Sequence, residues 1–350
     1  KRRREKIIML KHKAKIYTAV TVIIVAVILV FVGLANLPKP SIQQNPEEDI
    51  VIEDVTIIRH PLNGQAWTDS YREFFAIGVM LDNAYNINEQ PGLERADIVY
   101  EALVEGPITR LLAIFDSNQC LDKIGPVRSA RPYFLDWVEE YNGVYMHVGG
   151  SPQALNSIDD YDFVNIDQIG AGEIYFWRDN DMSMPANVFT SNTNWLRVGE
   201  IKEVPILDRD QFVAWNFVEE DASDDIKNVS LDFSSNSFQV DWKYNTLKEQ
   251  YQRWQGDVKH SYATGEQIIA SNVVVLVADD WLIDAERRNI NTADGGLAFV
   301  FNKYGHQDGV WLVENGRTLF FDKDGNALKL NPGQTWIEVI NTEERLDIIE

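Results

Sequence analysis

The chain is poor in cysteine, histidine and positive charge. It holds one cysteine, Cys120, and five histidines, and its 32 Lys and Arg are outnumbered by 54 Asp and Glu. A single thiol excludes an intrachain disulfide, a cysteine-based zinc cluster and a CxxC redox pair. His12, His60, His147, His260 and His306 are scattered, and no two form an HxxxH pair. A net charge of −22 argues against general nucleic-acid binding, which needs surplus Lys and Arg to neutralise phosphate. Walker A, HExxH, GxSxG and GxGxxG signatures are also missing. Apolar residues are not scarce. At 45% hydrophobic and 11% aromatic, the chain can build real cores, which excludes wholesale disorder. Its 350 residues accommodate two folded domains at about 100–200 residues each.

The charge is unevenly placed. Residues 1–15 hold eight Lys or Arg and one acid, Glu5, so the remainder carries −29. From Ile16 to Pro38 there is no charged side chain. About 20 apolar residues at 1.5 Å each match a hydrocarbon layer of roughly 30 Å. The run is long for a signal-peptide core, and no cysteine follows it to carry a lipid. Residues 16–37 are therefore expected to form a transmembrane signal anchor. Residues 1–15 would be its cytoplasmic basic tail under the positive-inside rule, and the bulk of the chain would lie outside the cell membrane. Residues 38–56, with three prolines and five acids, read as an extended stalk.

Two folded regions are expected beyond the stalk. Residues 57–205 combine strand-like runs at 74–83, 97–104, 110–116 and 143–148 with a helix at 129–141, which Ser129 could cap. That mixture predicts an α/β or α+β N-terminal domain. Residues 206–345 hold a series of short strands, VSLDF, SFQVDWKY, NVVVLVAD, GLAFVFN, GVWLVE, TLFFD, ALKL and TWIEVI. They predict a mostly antiparallel β C-terminal domain. Asp322-Lys323-Asp324-Gly325-Asn326 reads as a hairpin turn rather than a calcium loop.

Three stretches could carry chemistry. In Ile124-Gly125-Pro126-Val127-Arg128-Ser129-Ala130-Arg131-Pro132-Tyr133, two arginines sit three apart where a loop enters a helix. Arginine forks suit phosphate or carboxylate, although each could equally pair with a local acid. In His147-Val148-Gly149-Gly150-Ser151-Pro152, a strand ends in two glycines, after which Ser151 can act as N-cap and Pro152 as the first helical residue. The glycines would let a ligand approach the backbone, or they are simply structural. Phe176-Trp177-Arg178-Asp179 and Met184-Pro185-Ala186-Asn187 mix aromatic, cationic and small polar groups. That mix fits a sugar face, a phosphate edge or a structured loop.

Taken with Pro61-Leu62-Asn63-Gly64, the run 96–106, Ile108-Thr109-Arg110, Thr190-Ser191, Asn272-Val273-Val274-Val275 and the run 330–336, these stretches resemble the bacterial DUF3048 family across nearly everything after the stalk. The resemblance implies an extracytoplasmic protein of two DUF3048 parts and no established reaction. Members of that family are often lipid-anchored, and a histidine usually precedes the position of Asn187, where this chain has Ala186. A looser analogy links Asp97, Arg110, Arg128, Arg131 and Gly149-Gly150 to the LytR–CpsA–Psr phosphotransferases, without a motif-level match.

Arg110, Arg128, Arg131, His147, Gly149, Gly150, Ser151, Arg178, Asp179 and Asn187 are thus the candidate ligand-binding residues. The expected role is binding a cell-wall glycan, a lipid-linked precursor or an envelope protein, with no cofactor. The alternative is an envelope phosphotransferase or hydrolase in which Asp97 or Glu101 holds Mg²⁺ or moves protons. A third reading makes Trp242, Trp254, Trp281, Trp311 and Trp336 an interaction face, or simply core.

Overall fold

Three early runs, AIGVMLD, IVYEAL and TRLLAIFD, are apolar on both alternating positions. A strand of this kind must be covered on both faces. They form β1 (Ala76–Asp82), β2 (Ile98–Leu103) and β3 (Thr109–Asp116), and every residue in them is buried. The computed structural model describes residues 58–67, 73–84 and 90–350. The expected tail, anchor and stalk at 1–56 lie outside the described residues. Among the described residues no helix is long and apolar enough to cross a membrane.

In chain order, α1 (Pro132–Glu139), β4 (Val144–His147), α2 (Pro152–Ser157), β5 (Val164–Asp167) and α3 (Gln168–Ala171) come next. A small hairpin, β6 (Trp177–Arg178) with β7 (Val188–Phe189), and α4 (Asn192–Ile201) complete the first region. The second region opens with β8 (Asn228–Asp232), β9 (Gln239–Asn245), β10 (Gln250–Gln255), β11 (Val258–Lys259) and β12 (Ile269–Ala270). It continues with β13 (Asn272–Val277), β14 (Asp280–Leu282), β15 (Arg288–Ile290), β16 (Gly296–Asn302), β17 (Gly305–Glu314), β18 (Arg317–Phe321), β19 (Thr335–Ile340) and β20 (Leu346–Ile349).

The N-terminal region is α/β and the C-terminal region is mostly antiparallel β, yet they share a sheet. Among the described residues its ten strands run β18-β17-β16-β13-β19-β2-β3-β1-β4-β5. The seam is the parallel pairing of β19 with β2, in which Trp336 lies opposite Val99 and Glu338 opposite Glu101. One face of this sheet is covered by α1, whose Phe134, Trp137 and Val138 pack on Tyr100, Leu112 and Ile114. At Gly78 a side chain would sit 3.0 Å from Val138, so the glycine sets the close approach of α1. The other face is covered by the sheet β11-β10-β9-β8-β20, through Val229, Leu231, Val240, Trp242 and Tyr251.

Two local expectations are corrected. The helix expected from Ser129 starts at Pro132, with Arg131 as its N-cap in an extended conformation. The residue before a proline disfavours helical backbone, and Ala130 is already bridged to Gly150. ALKL is not a strand, because after the 322–326 turn it makes only the isolated bridges Phe321↔Ala327 and Phe217↔Leu330. Of the five tryptophans, Trp242, Trp311 and Trp336 are core residues, Trp254 is half-buried and Trp281 is exposed.

Candidate functional site

Side chains alternate across β3, so Arg110 points to the same face as Leu112 and Ile114, the face that α1 covers. It lies opposite Asp82 in the β1–β3 pairing. Arg128 and Arg131 reach the same region from the segment that precedes α1. Residues 127–131 run extended: the Arg128 amide donates to Met80 O, the Ala130 amide to Gly149 O and the Ser151 amide to Ala130 O. This short strand-like segment ties the two arginines to β1 on one side and to the paired glycines on the other.

The three guanidinium groups share two carboxylates. Arg131 Nη2 bonds Glu105 Oε1, and Arg110 Nη2 lies 3.5 Å from Glu105 Oε2. Arg110 Nη1 donates to Ser129 O at 2.8 Å, and Arg131 Nη1 donates to Ala130 O at 2.5 Å. Arg128 Nε lies 3.3 Å from Asp82 Oδ2, without the alignment of a hydrogen bond. The Nε atoms of all three arginines and the Tyr145 hydroxyl are buried and have no hydrogen-bond partner. Burial, then the neighbouring Arg128, pulls the Arg110 guanidinium down to about 10, so it stays charged at neutral pH. Burial likewise lowers Arg131 and pushes the Tyr133 and Tyr145 hydroxyls up. Arg110 and Arg131 are only 4% and 7% exposed, so the cluster does not line an open hollow. Clefts of about 570 and 600 Å³ lie elsewhere, beside Asn165 and beside Trp215, and no arginine of this group lines them.

The glycine turn is built as its sequence implies. Ser151 caps α2 by accepting from the Ala154 amide at 3.2 Å, and Pro152 is the first helical residue. Gly149 has φ +56°, and its amide donates to Asp167 Oδ1 at 2.7 Å. His147 is fully buried and stacks on Tyr145 at 4.8 Å. Its Nδ1 lies 2.7 Å from Gly149 O and its Nε2 2.8 Å from Asn165 Oδ1. Both ring nitrogens are thus engaged in holding the turn.

Arg178, Asp179 and Asn187 form a second group. Arg178 donates to Asn187 Oδ1 at 2.9 Å and to Gln168 Oε1 at 3.2 Å. Asp179 pairs with Lys123 at 2.8 Å, and that bond holds its carboxyl below the usual range. The structure brings Arg110, Arg128, Arg131, His147, Gly149, Gly150 and Ser151 together. It connects the Arg178 group to them through α3, where Gln168 follows the Asp167 that holds Gly149, and through β7, where Val188, opposite Arg178, accepts from the Val127 amide at 2.7 Å.

Known proteins share this architecture. Residues 62–204 match the domain described as "Protein of unknown function (DUF3048) N-terminal domain", and residues 229–337 match the corresponding C-terminal domain. YerB of Bacillus subtilis (strain 168), a protein named as a lipoprotein, is 30% identical over 301 residues, covering 84% of this chain and 89% of YerB. The chain belongs to the DUF3048 family. The crystal structure of YerB superposes with a TM-score of 0.76 at 29% identity, covering 84% of this chain and all of that one.

On the opposite face of the shared sheet, the two DUF3048 regions meet in a polar network that the sequence reading missed. Arg253, from β10, bonds Glu101 at 2.5 Å, and both side chains are fully buried. Arg253 also contacts His260 Nδ1 and bonds Gln255 at 2.9 Å, and it lies 5.1 Å from the Trp336 ring. His260 Nε2 lies 2.9 Å from Gln90 Oε1. Asn83 and Thr109 both donate to Glu101 Oε1. Glu338 accepts from Trp242 Nε1 at 2.7 Å. Burial, then the charge of Glu101, pushes Glu338 well above the usual carboxylate range. Burial, then Arg253, holds His260 well below the usual histidine value. A charged residue at the centre of an otherwise apolar strand, in IVYEAL and TWIEVI, was the available signal.

Asp97 joins neither group. It accepts from Asn63 at 2.6 Å and Gln119 at 3.0 Å, near the His60–Asp116 pair at 3.0 Å, and burial raises it to about 6. Among the described residues, no three His, Cys, Asp or Glu side chains gather as metal ligands.

Proposed function

We propose that this DUF3048 protein is a membrane-anchored, extracytoplasmic component of the bacterial cell envelope. Its Arg/Gly-Gly site would bind an anionic or glycan ligand of the wall, a lipid-linked precursor among them, or an envelope enzyme presenting such a group. No cofactor is part of this reading. The charge-free run at 16–37 behind a basic tail supports the anchor, and the lipoprotein name of YerB supports the compartment.

One observation carries the binding reading. Three arginines gather around two carboxylates, and the Nε donors of Arg110 and Arg131 and the Tyr145 hydroxyl have no hydrogen-bond partner, while Arg128 Nε faces Asp82 Oδ2 at 3.3 Å without hydrogen-bond alignment. Buried donors without partners are costly, at about 1–3 kcal/mol each, so native structures rarely leave several together. Arginine forks suit phosphate and carboxylate alike, and an anion admitted to the cluster would add acceptors to it. The excess positive charge is local, in a chain that is otherwise strongly acidic.

The test is binding of pyrophosphate and of soluble phosphate-bearing wall-glycan fragments to the full chain in lipid nanodiscs. Arg128→Gln and Arg131→Gln are expected to weaken binding at least tenfold while the fold persists. If both variants bind every probe as wild type does, the site is misassigned.

A further inference from the structure

Glu105 stands where a ligand would. It sits in the turn 104–108 between β2 and β3, and its two carboxylate oxygens are divided between two guanidinium groups, one on Arg131 and the other toward Arg110. A carboxylate or phosphate from outside would span the same two forks in the same way. The Glu105 side chain is 25% exposed, whereas those of Arg110 and Arg131 are 4% and 8% exposed. The acid is therefore the layer between the arginines and solvent.

The turn that carries Glu105 is short, lies at the surface and is held by contacts from outside it. Gly106 has φ +51°, and nothing lies within 4 Å of where its side chain would be. The turn is closed by Val104 N donating to Ile108 O at 2.9 Å. From above, the β14–β15 hairpin clasps it through the Glu105↔Arg287 bridge and a 3.3 Å bond from Gly106 N to Glu286 O. Glu105 thus belongs to a short surface turn, while its partners belong to the buried face of the sheet.

We propose that Glu105 is an internal pseudo-ligand: its carboxylate occupies the Arg110–Arg131 fork, and an external anion binds by displacing it. The inference rests on the anion-binding reading above and adds its regulation. In the resting protein the site is self-occupied and its apparent affinity is low. A ligand, or a partner that lifts the β14–β15 hairpin, exchanges one carboxylate for another anion at the same guanidiniums. No covalent step is involved.

The test is calorimetric titration of pyrophosphate into full-length wild type, Glu105→Gln and Glu105→Asp in nanodiscs. Glu105→Gln removes the competing charge. Glu105→Asp keeps the charge but shortens the reach by one methylene, which separates occupancy of the fork from bulk electrostatics and stands in if Glu105→Gln fails to fold. Both variants are expected to bind at least tenfold more tightly than wild type, and adding Arg131→Gln to either should abolish the gain. If wild type already binds as tightly as both variants, and Arg131→Gln weakens it, the pseudo-ligand is refuted while the binding site stands. If neither wild type nor the folded variants bind, the site itself is refuted and the pseudo-ligand falls with it.

Discussion

Glu101 and Glu338 lie side by side across the parallel pairing of β2 and β19, and Arg253 from the second sheet is the cation beside them. This contact joins the two DUF3048 regions through charge as well as through backbone pairing. It places three ionisable groups where no side chain is exposed.

Removing the cation should be far worse than neutralising one acid. Arg253→Met leaves Glu101 buried without its counter-charge, a change that costs about 3–5 kcal/mol in comparable pairs. Glu338→Gln keeps an acceptor for Trp242 and removes a carboxyl whose charged form burial and Glu101 already disfavour, so the cost is expected to stay below about 1.5 kcal/mol. Urea unfolding of the two variants checks the contrast.

The N-terminal DUF3048 region should not hold its native packing alone. Residues 57–205 lack β19, which covers the open side of β2, and Arg253, which neutralises Glu101. They also lose Arg317, which bonds the buried Glu140 at 2.8 Å from β18. The isolated fragment is expected to lose its near-ultraviolet circular dichroism, and co-expression with residues 206–350 to restore it.

Asp97 sets a pH dependence of known sign. Its carboxyl is raised by burial from 3.8 to about 6 in the folded chain, so the folded state holds the proton more tightly than the unfolded state. Its contribution to stability is complete below about pH 4 and is lost as pH rises toward 6. Thermal melts of wild type and Asp97→Asn between pH 4 and 7 should show wild type losing stability relative to the variant over that window.

The glycine turn should be sensitive at two neighbouring positions for different reasons. Gly149→Ala forces a side chain into left-handed backbone and 2.7 Å from Ile169 Cδ1, at a cost of about 1–2 kcal/mol. Ser151→Ala removes the α2 cap, at about 1 kcal/mol. Chemical denaturation should give a larger loss for Gly149→Ala than for Ser151→Ala.

Much of the fold could be read from local pattern. β1, β2 and β3 are apolar runs that a sheet covered on both faces demands, and Ser151-Pro152 announces a helix start. β10 could not be read this way, because Gln250-Tyr251-Gln252-Arg253-Trp254-Gln255 buries an arginine where the alternation calls for an apolar residue. The shared sheet was illegible because β19 and β2 are far apart in sequence, and no local signal encodes which strands meet. At the site, the guanidinium and glycine residues were visible, but their partners were not. Glu105 and Asp82 are two acids among 54, and only the folded chain selects them. The sequence pattern placed Arg131 inside a helix beginning at Ser129. The bridge from Ala130 to Gly150 holds that segment extended instead.

The most direct measurement of the central claim is the ¹H–¹⁵N spectrum of arginine Nε groups in the full-length protein, recorded with and without pyrophosphate. The Nε–H signals of Arg110, Arg128 and Arg131, assigned by single Arg→Lys replacements, should shift on saturation while those of Arg209 and Arg345 stay in place. If the three signals do not move at saturating pyrophosphate, the arginines are a structural ion-pair cluster and the anion site does not exist.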